Sequence, residues 1–329
     1  MKKTLTVMLS VISILCFSLS FVSCKQDEDL IRINEVTHSV FYAPLYLANT
    51  LGYFEEEGIK VEIAAAEGSN TSMATLLSGN CDIALAGPET AVYVAAEGST
   101  DNPVVFGQLT KRDGSFLVSK TQIDNFSWTT SLRDKKVIAG RAGGLPAMTF
   151  EWVVNSLGMY RGNGITLDTD TSFAMQVPTF EAGGGDFCTM FEPTASEYQA
   201  AGKGYIVASV GEQSGEIPYT CFIAKKGYLK NNSEKIKGFL RAVKKAYTFA
   251  MTSDSRVVAE ELKKSFSSSS VDSLEYAVKS YTKIDAWMST PAMTESSYNR
   301  LIDVLKNSSD FDENVPFSKV VDNTYAYAV

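Results

Sequence analysis

Apolar and polar positions along the chain follow two periods, and the switch between them separates strands from helices. Ile31, Ile33 and Val36 form a short apolar strand, and residues 37–42 form a polar and aromatic turn. Leu45, Leu51 and Phe54 then give a helix its inward positions. Pro44 suits its first turn and Gly58 its end. Residues 61–66 read as the next strand. Strand, helix and strand in so short a span make a βαβ unit with parallel strands. In such a sheet ligands sit beyond the carboxyl ends of the strands, so residues 37–42 are expected to line a site.

The same alternation continues. Ser69 or Asn70 can cap a helix holding Met73, Leu76 and Leu77. Residues 81–86 form a third strand, which Gly87-Pro88 turns into a helix with Ala91, Val92 and Val94. Strands at 104–109 and 116–120 complete most of a first lobe over 31–120. A second α/β lobe is expected over 121–216. It holds strands at 137–140, 165–167, 187–191 and 205–210, with helices at 146–157, near Met175, and at 194–201. Residues 217–329 are expected to return to the first lobe, through a strand at 219–224 and then helices. Ile236, Phe239, Leu240, Val243 and Tyr247 form one helical stripe, and Tyr298, Leu301, Ile302 and Leu305 another. Crossings near Lys120 and Gly215 suit a hinge of two chain segments.

Composition narrows the class. The chain has 329 residues, 45% hydrophobic and 21% charged, which leaves room for two lobes of about 100–150 residues. Its net charge of −8, with no run of Lys and Arg, argues against binding nucleic acid or anionic lipid by charge. Lys2 and Lys3 precede an apolar run over 5–22, then Ser23-Cys24 and a polar stretch. This reads as a signal peptide over 1–23 and a linker over 24–30 lipidated at Cys24. The usual lipobox has Leu where this chain has Phe21. An uncleaved anchor is the alternative, although Ser10, Ser13, Ser18 and Ser20 dilute the run. Either way the body lies on the extracytoplasmic face. Cys81, Cys188 and Cys221 leave room for one disulfide, and their spacing offers no metal site.

The candidate chemistry lies in turns that join strand carboxyl ends to helix amino ends. They contain Thr37, His38, Ser39 and Tyr42, then Ser69 and Asn70, then Pro88, Glu89 and Thr90, then Arg141, Gly143 and Gly144, and finally Glu192. Unpaired N–H groups and the helix dipole favour an anion there by roughly 0.3–1 kcal/mol per terminus. Arg141 can take a carboxylate or sulfonate with two parallel hydrogen bonds, or form an exposed salt bridge. Glu192 can accept from a ligand amine or amidine, or cap the helix after Pro193; Glu89 has the same ambiguity. His38, the chain's one histidine, cannot make a metal cluster and is expected to line the site through hydrogen bonds. Phe41, Tyr42 and Tyr219 can stack on a flat ligand, and Phe187 and Phe191 are expected to split between core and cleft.

The runs FYAPLYLA at 41–48, GYFEEEGI at 52–59, LSGNCDIALAGP at 77–88 and FEPTA at 191–195 resemble solute-binding proteins of bacterial ABC importers. The branch is the one for nitrate, sulfonates, taurine and thiamine-precursor pyrimidines. The resemblance spans roughly residues 31–240. It implies an α/β type II periplasmic-binding-protein fold, with the ligand cleft between two lobes on a two-segment hinge. It also implies a monomer without enzymatic activity or cofactor, which delivers a small molecule to an ABC permease with a cytoplasmic ATPase. Tyr42, Tyr219, Glu89 and Glu192 favour a flat nitrogen heterocycle as ligand. Arg141 and the helix termini favour a small anion such as an alkyl sulfonate, taurine or nitrate. Pyrimidine binders commonly carry tryptophan near the end of the first strand and histidine before Ala-Pro, where this chain has Thr37-His38 and Tyr42. Eukaryotic relatives of this fold are pyridoxal-phosphate-dependent thiamine-pyrimidine synthases with a cysteine-rich motif. This chain has no such cluster.

Overall fold

The computed structural model describes residues 29–98, 101–308 and 311–329. The expected leader and Cys24 lie outside them. Residues from Ile31 to Val329 form one compact unit. It holds two sheets built from eleven strands: β1 Leu30–Glu35, β2 Lys60–Ala65, β3 Ile83–Ala86, β4 Pro103–Thr110, β5 Ser115–Ser119, β6 Lys136–Ile138, β7 Tyr160–Arg161, β8 Gly164–Asp168, β9 Phe187–Phe191, β10 Tyr205–Ser209 and β11 Thr220–Lys225. The first sheet runs β2-β1-β3-β11-β4 and the second β10-β5-β9-β6-β8-β7. β1 and β3 are parallel, with Glu35 beside Leu85 at their carboxyl ends. β11 lies antiparallel between β3 and β4. β3 is buried at every position, as a strand covered on both faces must be.

Helices cover the first sheet for reasons visible in their sequences. Pro44 stands in the first turn of the Ala43–Thr50 helix, where its missing N–H costs nothing. The helix expected to run on to Gly58 is instead two pieces. Gly52 adopts a left-handed φ of 75° and separates it from a short helix at Tyr53–Glu56. The Ser233–Thr252 helix buries Ile236, Phe239, Leu240 and Val243. Phe239 stacks on Phe54 with ring centroids 5.2 Å apart and meets Phe222 edge-on at 4.9 Å. A smaller core of Leu117, Leu132, Val137, Phe150, Val154 and Phe187 belongs to the second sheet.

Two elements differ from expectation in where they sit. The strand expected near 116–120 in the first lobe is β5, and it pairs with β9 and β10 in the second sheet. The first crossing therefore falls at residues 111–114, earlier than Lys120. The Glu295–Ser308 helix, expected on the first lobe, packs against the Leu145–Ser156 helix of the second. Its apolar stripe needed a partner, and residues 145–156 supply one. Asn155 Nδ2 donates to Asn307 Oδ1 at 2.9 Å, and Arg300 lies over the Trp152 ring at 6.0 Å. Cys81, Cys188 and Cys221 are free and buried, so no disulfide joins them. No helix among the described residues is long and apolar enough to cross a membrane.

The stripe of the Glu295–Ser308 helix predicts its own stability effect. Leu301 is fully buried, so Leu301→Ala is expected to lower unfolding stability by roughly 2–5 kcal/mol. Exposed Lys306→Ala should stay within about 0.5 kcal/mol. Urea midpoints of the two variants check this.

Candidate functional site

A cavity of about 730 Å³ lies between the two sheets. Residues after the carboxyl ends of β1, β2 and β3 form one side, and turns after β6 and β9 form the other. Of the residues singled out from the sequence, Thr37, His38, Ser39, Tyr42, Ser69, Asn70, Glu89, Arg141, Gly143, Gly144, Glu192 and Tyr219 line it. Pro88 and Thr90 do not. Thr90 is buried and its hydroxyl donates to the Gly87 carbonyl at 2.8 Å, which holds the turn from behind.

Glu89 is the buried carboxylate of the first lobe that keeps an oxygen without a partner at the cavity wall. It is 1% solvent-exposed, and its Oε2 has no hydrogen-bond partner. Burial pushes its pKa up to about 7, against the smaller stabilising pull of its own backbone N–H, of the Ser69 hydroxyl and of Arg141. Ser69 also accepts the Gly87 N–H at 3.2 Å. The carboxylate folds back over Gly87 so closely that a Cβ there would collide with it. A larger residue at that position would displace the Glu89 carboxylate.

Glu192 has the opposite character. It lines the cavity and is 2% exposed, but both oxygens are already occupied. Oε2 accepts the Ser196 N–H at 3.0 Å and the Ser196 hydroxyl, while Oε1 accepts the Ser280 hydroxyl at 2.9 Å. The Glu192 N–H donates to the Tyr281 hydroxyl oxygen at 3.0 Å. Of the two roles read from sequence, this is the helix cap. It is also a brace between the second lobe and the Val271–Lys283 helix, while the carboxylate still lines the cavity.

Tyr219, expected to stack on a ligand, lines the cavity with its ring and donates its hydroxyl to Asp113 Oδ2 at 2.9 Å. Asp113 is fully buried, also accepts the Ser115 N–H, and burial raises it to about 6. Tyr42 is 4% exposed, and burial raises its hydroxyl, so the phenol stays protonated. Ser39 accepts the Phe41 N–H and caps the short turn that carries Tyr42. Asn70 is exposed at the start of the Ser69–Leu77 helix.

Arg141 is exposed, and its side chain makes no hydrogen bond or ion pair among the described residues. It reaches across to the first lobe. Gly68, at a φ of 125°, leaves room for it, since a Cβ there would stand 3.2 Å from a guanidinium nitrogen. Gly143 and Gly144 complete its turn, closed by the Gly144 N–H to the Arg141 carbonyl at 3.0 Å. Among the described residues no group of three His, Cys, Asp or Glu side chains is placed to hold a metal ion.

Several lining residues were not singled out from sequence: Phe173, Gln176, Thr189, Phe266, Ser268 and Ser269. Gln176 is 3% exposed and its Nε2 has no partner. A glutamine near Met175 carried no local sign of burial. Ser268 and Ser269 belong to a serine run that reads only as a loop, and their position over the cavity comes from the helices before and after them.

Comparisons agree with this architecture. The family profile described as NMT1/THI5 like matches residues 40–255. YtlA of Bacillus subtilis strain 168, provisionally named a binding protein, is 36% identical over 312 residues, which is 94% of this chain and 93% of YtlA. A 4-amino-5-hydroxymethyl-2-methylpyrimidine phosphate synthase of Aspergillus parasiticus is 26% identical over 223 residues, 64% of this chain and 63% of the synthase. In structure, the periplasmic aliphatic sulphonate binding protein SsuA of Escherichia coli superposes with a TM-score of 0.72 at 15% identity, covering 90% of this chain and 99% of SsuA. That likeness carries the two-lobed type II periplasmic-binding-protein fold, and the profile and YtlA carry the family. The chain belongs to the NMT1/THI5-like family.

Proposed function

We propose that the cavity captures a flat nitrogen heterocycle of the thiamine-precursor type on the extracytoplasmic side. The protein then hands it to a permease driven by a cytoplasmic ATPase, with no chemical step of its own. The observation that carries this reading is the buried Glu89 Oε2 without a partner at the cavity wall. A ring N–H or amidine satisfies it with a charge-assisted hydrogen bond. Tyr42, Tyr219 and Phe191 supply apolar faces for such a ring. The free Nε2 of Gln176, on the other lobe, suits an acceptor on the opposite edge of the ligand. Closure of the lobes on the ligand would follow from its contacts with both.

A small anion is the second reading, favoured by the unpaired Arg141 beside Gly68 and the Ser69–Leu77 helix start. Calorimetry at pH 8, with an aminopyrimidine and an alkyl sulfonate against wild type and Glu89→Gln, separates the two. The heterocycle is expected to lose at least about tenfold in affinity, or 1.4 kcal/mol, and the sulfonate to bind as well or better. Equal heterocycle affinity in both proteins would remove Glu89 from the site and leave the anion ahead.

Glu89 also predicts a pH dependence of stability. Its folded pKa of about 7 exceeds the ordinary 4.5, so the native state holds a proton that the unfolded chain releases. The stabilisation is complete below about 4.5 and is lost as pH rises through about 7. Glu89→Gln should therefore leave stability nearly unchanged at pH 4 and raise it at pH 8, by up to about 3 kcal/mol. Thermal melts at the two pH values test this.

Lipid attachment at Cys24 is part of the same proposal and is separable from binding. Acyl chains contribute about 0.8 kcal/mol per buried CH₂ to a membrane tether. Cys24→Ala is expected to abolish acyl labelling and leave ligand affinity unchanged. Recovery of wild-type protein with its leader intact and no acyl mass would defeat it.

A further inference from the structure

His38 stands between two hydrogen-bond acceptors. Its Nδ1 lies 3.0 Å from Glu35 Oε1 and its Nε2 lies 3.1 Å from the Ser265 carbonyl oxygen. The other Glu35 oxygen already accepts the Tyr46 hydroxyl. A neutral imidazole has one N–H and one lone pair, so it can donate to only one of these partners. The imidazolium donates to both. The ring also stacks on Phe266, with centroids 4.4 Å apart and planes 24° from parallel, and meets Tyr46 edge-on at 4.9 Å. Ser265 follows the Ser255–Leu262 helix, whose carboxyl end attracts a cation.

We propose that His38 is a positioning residue for the ligand cavity. As an imidazolium it ties β1, through Glu35, to residues 265–269, and so fixes the wall that Phe266, Ser268 and Ser269 contribute. This goes beyond the ligand reading and holds for either ligand class. The titratable groups facing the ring are Glu35 from β1 and Tyr46 from the Ala43–Thr50 helix. On the other side, Lys263 binds the carbonyls of Ser267 and Ser269 at 2.7 and 2.6 Å and so holds the far end of the same segment. The hydrogen bond to Glu35 raises the His38 pKa, against the opposing effect of partial burial. The tie is therefore fully present below the ordinary histidine range and is lost as pH rises through the folded value.

Because the chain has one histidine, ring nitrogen NMR of the mature, folded protein reads this group without ambiguity. One transition is expected above the ~6.5 of a free histidine, with both nitrogens protonated below it. Protection factors of the Phe266 and Ser269 amides, which bond to Leu262 and Phe266 carbonyls, should fall about tenfold across that transition. In His38→Gln, whose two N–H donors share one nitrogen and cannot span acceptors set at opposite ring nitrogens, the same amides should be weakly protected at every pH. The half-exposed position makes that variant tolerable to the fold, and the wild-type titration needs no variant. A transition at or below the ~6.5 of a free histidine overturns the proposal. So does protection at 266 and 269 that ignores the histidine titration.

Discussion

Four carboxylates, Glu35, Glu89, Asp113 and Glu192, are buried to 2% exposure or less, and among the described residues none is paired with Lys or Arg. Burying such a group without partners costs several kcal/mol, so each must be surrounded by donors. Those donors come from separate elements of the fold. Glu35 joins β1 to the Ala43–Thr50 helix through Tyr46, and Asp113 joins the first crossing to Tyr219, the residue before β11. Glu192 joins the second lobe to the Val271–Lys283 helix through Ser280 and Tyr281. Satisfying these carboxylates therefore sets where the elements stand relative to one another.

Glu89 differs from the other three in keeping one oxygen without a partner, and it does so at the cavity wall. The aromatic faces around it contribute area without direction, and the polar edge contributes the orientation. Arg141 and Gln176 come from the opposite lobe and line the same cavity.

The connection between the lobes is broader than two crossings of the chain. The Val271–Lys283 helix contacts the Thr194–Ala200 helix, and the Glu295–Ser308 helix lies on the Leu145–Ser156 helix. Any opening motion must carry these helices with one lobe or slide them across the other. The contacts they make are mixed: Arg300 lies over the Trp152 ring, Asn155 bonds Asn307 at the surface, and Ser280 and Tyr281 hydrogen-bond the buried Glu192. Contacts of that kind favour discrete arrangements over continuous bending.

Periodicity and turn chemistry are local properties, and what depends on them was legible in the chain. The order of strands and helices was, as was the turn after β1, and most of the residues singled out from the sequence do line the cavity. Two sheets in two lobes followed from the same pattern together with the family resemblance. The sequence alone could not rank Glu192 against Glu89, because both precede a helix at the carboxyl end of a buried strand. Their difference rests on Ser280 and Tyr281, distant in the chain and brought to Glu192 by helix packing. The same holds for β5, whose apolar residues suit either sheet, and for the Glu295–Ser308 helix, whose stripe suits any apolar surface. It holds for His38 too, since its second acceptor is a carbonyl at the end of a helix more than two hundred residues away. A side chain's type is written in the sequence, but its partners depend on which distant elements the fold brings beside it.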